Sequence, residues 1–485
     1  MTISPQENQH LSKHPDVEEL KAEVLRLTTE LNLANVKIQQ LSDKLAKNSG
    51  NSSKPPSSDG FNKPAPKSLR GKSGMKVGGQ PGHKGHCLSF SEEADKICPH
   101  NPNECHQCGA TLDGKPSSYE RRQIIDLIDN HKFITEHRVG LKVCTNCNAT
   151  SKGSFPEGVT APVQYGPSVK ATAIYLNKRQ MIPFARTVEI LEDLLGIKLS
   201  AGTIVTMVKQ ASDLLEVVDD DIKETILNSP VVNFDESGMN VNGDRHWVHV
   251  AVTNVASHFY SHQTRGPEAM DEMGILSEFS GLAIHDHWKS YFKYTNSSHY
   301  LCNAHHLREL EFIHERYGHV WAKDMQDFLR EVKKEIEALK EKGQLLIPED
   351  KLKSFSDKYD EIIARGYLED PPVPIDPAKK KKPGPVAQSK GRNLLDRLKN
   401  FKESVLGFMN NFSIPFDNNQ AERDVRMLKV QQKISGTFRS EQGPVCYCRI
   451  MGYISTIRKN QINAIEAMRS VFLGTPIVPN RVNSG

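Results

Sequence analysis

The sequence predicts an α/β protein, in which a mixed domain with a long helical insertion follows three smaller N-terminal units. Three observations carry this. The apolar runs 231–235 and 282–286 each end in an aspartate. From Pro230 the chain reads strand, strand, strand, helix, strand. Upstream, a heptad repeat and two Cys-x-x-Cys pairs divide the chain into stretches of very different composition. At 485 residues the chain is long enough for about three domains. Its 37% apolar and 25% charged content fits a soluble, partly extended protein.

Taken in order, Leu20, Val24, Leu27, Leu31, Ala34, Ile38, Leu41 and Leu45 are spaced alternately by four and three. That a/d seam predicts a coiled coil over residues 17–47, pairing copies of the chain through residues 20–45. The other reading is one amphipathic helix docked on its own chain. Residues 48–90 are rich in Pro, Gly, Ser and Lys and cannot bury enough apolar surface to fold alone. Residues 50–90 hold seven Lys/Arg against one Asp, so this linker is either a solvated tether or a basic arm that orders on phosphate.

The next unit, 91–155, carries Cys105, Cys108, Cys144 and Cys147. Two such knuckles offer four thiolates to one tetrahedral Zn²⁺ in a zinc-ribbon-like domain. Strand-like runs 123–127 and 133–143, turning at Asp129-Asn130, would bring the pairs together. Cys98, His100 and His106 are spare donors, which leaves the ligand set open. Residues 165–228 read as helices, and 199–204 has the form of an entry to a recognition helix. This module is either DNA-binding or an ordinary packing layer.

From 230 to 465 the sequence predicts strands at 231–235, 246–253 and 257–262, with Asn242-Gly243 as a hairpin turn. A helix at 267–279, a strand at 282–286 and a strand-like 298–303 follow. Residues 304–416 are a helical insertion containing a Pro/Lys loop, and 466–485 form a tail. This strand order is that of a ribonuclease H-like domain.

The chemistry rests on three acids in three settings. Asp235 and Asp286 end buried strands, where a charge costs several kcal/mol unless compensated, on the order of a lost ion-pair partner. Glu422 lies in a polar, basic helical segment 136 positions beyond Asp286. Together they make a hard oxygen cage suited to Mg²⁺ or Mn²⁺, and two ions there serve phosphoryl transfer. Glu236 follows Asp235 and points to the other face of the strand, so one of the two faces the metal. Asp417 and Gln420 fit a capping box that starts the Glu422 helix.

Residues 423–460 hold eight Lys/Arg against two acids. Arg423, Arg426, Lys429, Lys433 and Arg439 are the candidate DNA contacts, with Arg449, Arg458 and Lys459 extending a phosphate track. His285, His287, His305 and His306 read as supporting or DNA-contacting groups rather than ligands. No stretch reaches the ~20 apolar residues of a membrane span, and residues 1–7 lack a signal-peptide pattern. The expectation is a cytoplasmic, nucleoid-associated enzyme acting on nucleic acid, with no membrane partner.

At this point a resemblance is specific. The heptads, Asn51-Ser52-Ser53-Lys54-Pro55-Pro56-Ser57 and Gly79-Gln80-Pro81-Gly82-His83-Lys84-Gly85-His86 are followed by the paired Cys knuckles. Next come Asp235-Glu236-Ser237-Gly238 with Arg245-His246-Trp247, and His285-Asp286-His287-Trp288. Last are Asn418-Asn419-Gln420-Ala421-Glu422-Arg423 and Ser435-Gly436-Thr437-Phe438-Arg439-Ser440. The chain resembles the large transposase subunit of the IS sixty-six family of insertion sequences. The resemblance implies a DDE transposase with Asp235, Asp286 and Glu422 as its triad. It also implies recognition of terminal inverted repeats and target DNA, and accessory proteins from the same element. Cys98-Pro99-His100 departs from the family pattern and bears on the zinc ligands. A nuclease without strand transfer, or a non-catalytic DNA-binding regulator, is the alternative.

Overall fold

The computed structural model describes residues 15–48, 51–52, 108, 111, 134–139, 141–143, 150–152, 154–372 and 388–478. Of the expected zinc ligands only Cys108, at an exposed turn, falls among them. Most of the 48–90 linker and the strand-like run 123–127 also lie outside the described residues. Strands β1 (Leu141–Val143) and β2 (Thr150–Lys152) pair antiparallel, on either side of the stretch that holds Cys144 and Cys147. The expected strand 133–143 is thus short at its first end.

The heptads form a single helix, α1 (Pro15–Ala46). Leu20, Val24, Leu27, Leu31, Ile38 and Leu41 all remain exposed along it. Among the described residues, those at its C-terminal end dock. Asp43 accepts from Arg316, Tyr317 and Lys390, and the Asn51 amide donates to Ala46 O.

Helices α2 (Pro167–Ile174), α3 (Phe184–Leu195), α4 (Ala201–Leu214) and α5 (Glu216–Leu227) follow. Gly196 ends α3 in the left-handed region at φ +58°, and Ser200 caps α4 by accepting from Thr203 N. Ile204, Met207, Val208 and Ala211 of α4 share one core with Val232, Phe234 and Ala251 of the sheet. The module thus shares its core with the sheet.

The sheet has five strands. In chain order they are β3 (Val231–Val241), β4 (Asp244–Val252), β5 (Ser257–His262), β6 (Leu282–His285) and β7 (Ser298–Leu301). Their spatial order is β5-β4-β3-β6-β7, the first three antiparallel and the last two parallel to β3. This arrangement is compatible with a ribonuclease H-like domain. β3 runs well past Asp235, because Asn242 (φ 51°) and Gly243 (φ 101°) make the tight turn that lets β4 pair back along its whole length. Helix α6 (Pro267–Met273) connects β5 to β6.

Alternation assigns the faces. Val232 and Phe234 face the core of α2–α5, whereas Met239 and Val241 join Val248, Val250 and Val252 on the opposite face. That opposite face is covered by Ala421, Val425 and Leu428 of α12 (Asn419–Ser435).

Between β7 and α12 lies a helical lobe: α7 (Asn303–Tyr317), α8 (Val320–Glu341), α9 (Glu349–Glu369), α10 (Lys390–Asn400) and α11 (Lys402–Asn410). It has its own core, around Trp321, Phe328, Leu329 and Tyr359, joined by Ile284 and Leu301 of the sheet. The helices between β7 and α12 thus form a lobe.

After α12 come α13 (Gln442–Lys459) and α14 (Ala464–Phe472). Here the expected tail needs correction through Phe472. Asn463 caps α14 by accepting from Ile465 N and Glu466 N, and Ala464, Ala467, Met468 and Val471 are buried in the main core. Among the described residues no helix is long and apolar enough to cross a membrane.

Candidate active site

The register of β3 and β6 fixes where the first two acids fall. Asn233 pairs with Ile284, so Asp235, still on β3, and Asp286, the first residue past β6, each lie two residues beyond that pair. By alternation Asp235 faces α12, which carries Glu422 in its first turn. An acid there is favoured by the helix N-terminus. Burial pushes the Asp235 carboxyl well above the ordinary aspartate value, and the charges of Glu236, Glu422 and Asp286 add to the rise. Burial and Glu236 likewise raise Asp286.

Glu236 points to the other face, as alternation requires. There it accepts from Arg265 Nε at 2.7 Å and from the buried Tyr291 phenol. Arg265 Nη2 also lies 3.9 Å from Asp286 Oδ2, so one guanidinium spans both carboxylates. Its plane is held by Trp288, at 4.1 Å from the ring centre, and by Trp247 at 5.2 Å. Arg245 stacks on Trp247 in turn, at 4.4 Å. Gly238, paired with Trp247, leaves room for Arg245, whose Nε would lie 3.4 Å from any β-carbon there.

Glu422 sits among Arg308 Nη2 (3.4 Å), His305 Nδ1 (3.6 Å) and Cys302 Sγ (4.0 Å). Its helix is not started by the expected capping box. Asp417 accepts only from Asn419 N, and Gln420 turns away to donate to Thr253 O. Asn418 takes over, donating its amide to Phe234 O at 2.7 Å and its backbone N–H to Cys302 Sγ at 3.1 Å. Sequence reasoning missed this tie, along with Arg265, Tyr291, Arg308 and Cys302. Their signals were faint: a Cys-x-x-His at a strand-to-helix junction, and single arginines in polar loops.

Among the cations, Arg423, Arg426, Lys433 and Arg439 are exposed. Arg439 is placed beside the β3–β4 hairpin, because Phe438 exchanges backbone hydrogen bonds with Asn240 and Asn242. Lys429 instead donates to Gly238 O and is half-buried. Two extensions of the track need correction. Arg449 donates to Ser212 O and approaches Glu216 and Asp219, while Lys459 donates to Thr253 O and pairs with Asp424 at 3.1 Å. Both are internal braces, which a buried cation must be if it is to keep its charge.

Of the histidines, His285 is fully buried, stacked on Tyr291 and hydrogen-bonded to His299, and burial pulls it down to about 3. His306 is buried against Asn303, and His287 packs edge-on against Phe401. His285 Nδ1 also meets the Asp286 backbone carbonyl, and of these four histidines His305 alone comes within ion-pair distance of a triad carboxylate.

The donor chemistry suits hard divalent cations: Asp235 on β3, Asp286 just past β6 and Glu422 on α12 are all carboxylates, and the charges of Glu422 and Asp286 raise the proton affinity of Asp235. Their oxygens do not form a group within 4.8 Å of one another. No curated protein matches the chain. A model for a family of unknown function (DUF6444) matches residues 3–89. A second model, described as Transposase IS66 family, matches residues 162–445, more than half of the sequence and the whole of the sheet, the helical lobe and α12. The chain belongs to the Transposase IS66 family.

Proposed function

We propose that this transposase binds the ends of an insertion sequence and catalyses strand cleavage and strand transfer, with Asp235, Asp286 and Glu422 holding divalent cations. The observation that carries the reading is the half-buried Asp235 carboxyl, raised by its surroundings and by the charges of Glu236, Glu422 and Asp286, with no cation among the described residues paired to it directly. Mg²⁺ or Mn²⁺ bound there would supply Lewis-acid activation of an attacking oxygen and stabilisation of a leaving one.

The protein's own groups do the positioning. Arg265, clamped between Trp288 and Glu236, steadies the Asp286 carboxylate; Arg308 and Asn418 steady the start of α12 and with it Glu422. Arg423, Arg426, Lys433 and Arg439 supply a cationic face for phosphates, and Lys429 borders it. In the reaction, water attacks a phosphodiester at the element end and frees a 3′-hydroxyl, which then attacks target DNA. Zn²⁺ on Cys105, Cys108, Cys144 and Cys147, self-association through residues 20–45 and accessory proteins of the same element belong to the same reading.

Incubating the protein with labelled candidate ends, a target plasmid and Mg²⁺, beside an Asp286→Ala control, tests it. Joined products that depend on Asp286 support the proposal. Cleavage without joining replaces it with the nuclease reading, and binding without products in either protein with the regulator.

A further inference from the structure

Outside the carboxylates, one group of side chains has metal-ligand chemistry and an unexplained polar atom. Cys302 sits at the N-cap of α7 and His305 three residues on, so both project from the first helical turn. Glu422 reaches them from α12. The three ligand atoms lie within 4.8 Å of one another, with Cys302 Sγ 4.0 Å and His305 Nδ1 3.6 Å from Glu422 Oε1. Cys302 is 1% exposed. His305 Nδ1 is buried and finds no hydrogen-bond partner. The Asn418 backbone N–H, 3.1 Å from Cys302 Sγ, is a donor that suits a thiolate.

A packing role explains a buried cysteine, and an ion pair with Arg308 explains Glu422. Neither explains why an imidazole nitrogen is aimed between a thiol and a carboxylate without a hydrogen bond. Tetrahedral zinc, with bonds of ~2.0–2.3 Å, sets ligand separations of roughly 3.3–3.8 Å, so the two pairs with Glu422 need to close by about half an ångström or less and the Cys302–His305 pair by about 1 Å at most. One sulfur, one nitrogen and one oxygen suit a borderline-soft ion. Mg²⁺ prefers six oxygens.

We propose that Cys302, His305 and Glu422 form a binding site for one Zn²⁺-class ion, separate from the cysteine knuckles and sharing Glu422 with the triad. Its consequence for catalysis rests on the reading of Glu422 given above: zinc bound here holds Glu422 away from Mg²⁺, so zinc antagonises Mg²⁺-dependent joining. The site itself does not depend on that reading.

The test is zinc content of the full chain after loading with Zn²⁺ and gel filtration. Wild type should retain about one equivalent more than either Cys302→Ser or His305→Gln, as expected for loss of one ligand from a three-ligand site. Equal content in all three proteins overturns the proposal. A second measurement does not depend on how those variants fold. In a chain carrying Cys105→Ser, Cys108→Ser, Cys144→Ser and Cys147→Ser, added Co²⁺ should still give a thiolate charge-transfer band. Absence of that band, or its persistence when a folded Cys302→Ser variant is added, overturns the proposal. Asp235→Ala should keep the extra equivalent while joining is lost, so a failure of the triad and a failure of the zinc site are read separately.

Discussion

Asp235 on β3 and Asp286, the first residue past β6, each lie two residues beyond the paired Asn233 and Ile284 of adjacent parallel strands. Because side chains alternate along a strand, this register puts Asp235 on the face that α12 covers, while Asp286 brings its carboxylate within 3.9 Å of Arg265 Nη2. A one-residue slip would exchange Asp235 for Glu236. Asp235→Asn and Asp286→Asn should therefore each abolish strand joining, a loss beyond the roughly 10- to 100-fold typical of an outer-sphere change. End binding, carried by the exposed cations, should stay within about twofold. Gel-shift and joining assays on the same preparations check this, and a variant that still joins DNA removes that acid from the triad.

Glu236 makes a different prediction, although it is the next residue. Its carboxylate is nearly inaccessible and is matched by Arg265 and Tyr291. Arg265→Ala would strand that buried charge. The cost should be roughly 2–3 kcal/mol, below the ~3–5 of a fully buried pair because Arg265 is itself about a third exposed. Arg265→Ala combined with Glu236→Gln should recover part of it. Denaturant unfolding of the single and double variants measures the coupling, and strict additivity would remove the pair from the account.

The raised carboxyl of Asp235 also sets a pH dependence. An acid whose folded value is raised contributes stability that is fully present below the ordinary aspartate value of 3.8. That contribution is lost as pH rises through the higher folded value. At pH 8, without divalent ions, Asp235→Asn should thus be more stable than wild type, while at pH 3.5 the two converge. Mg²⁺ should raise the melting temperature of wild type more than that of Asp235→Asn. Melting curves with and without Mg²⁺ decide it; an Asn variant less stable at pH 8 would mean the carboxylate is already compensated by the protein.

How much of this was legible in the sequence follows from which forces were local. Asn242-Gly243 announced its hairpin because a tight turn needs residues that accept positive φ, and the two aspartates stood out against apolar runs. The capping box failed because Gln420 finds its partner in Thr253 O, just past β4, while the neighbouring Asn418 ties to Phe234 O on β3, both more than 150 positions away. The tail after 465 failed for a similar reason: α14 is short, and its stability comes from packing in a core assembled from distant helices. Arg265 could not be found at all, since nothing near it in sequence announces Glu236, Asp286 and two tryptophans.

Docking of α1 depends on Asp43. Burial pushes its carboxyl up, but Lys390, Tyr317 and Arg316 outweigh that and hold it at about 2. A depressed acid contributes stability present above its ordinary value of 3.8 and lost as pH falls through about 2. Asp43→Asn should consequently loosen the α1 anchor at pH 7, by on the order of 2 kcal/mol, and have little further effect near pH 2. Limited proteolysis between residues 44 and 52 reports the anchor; unchanged cleavage in the variant would show that Asn51 and the apolar contacts suffice.

The rest of α1 presents the apolar seam to solvent, from Leu20 through Leu41, with Leu27 still 50% exposed and Leu31 61% exposed. A row of that length on one helix face is what a second copy of the chain would cover, since the same a/d positions then interlock. Leu27→Lys together with Leu31→Lys removes two apolar layers, each leucine being worth on the order of 1.5–3 kcal/mol when buried. Sedimentation equilibrium should show wild type associated at micromolar concentration and the double variant weakened by at least about 100-fold. The α7–α11 lobe that anchors Asp43 is untouched by these changes, so melting of the monomeric body should not move. Identical mass distributions for both proteins would leave the seam without a copy of itself as partner.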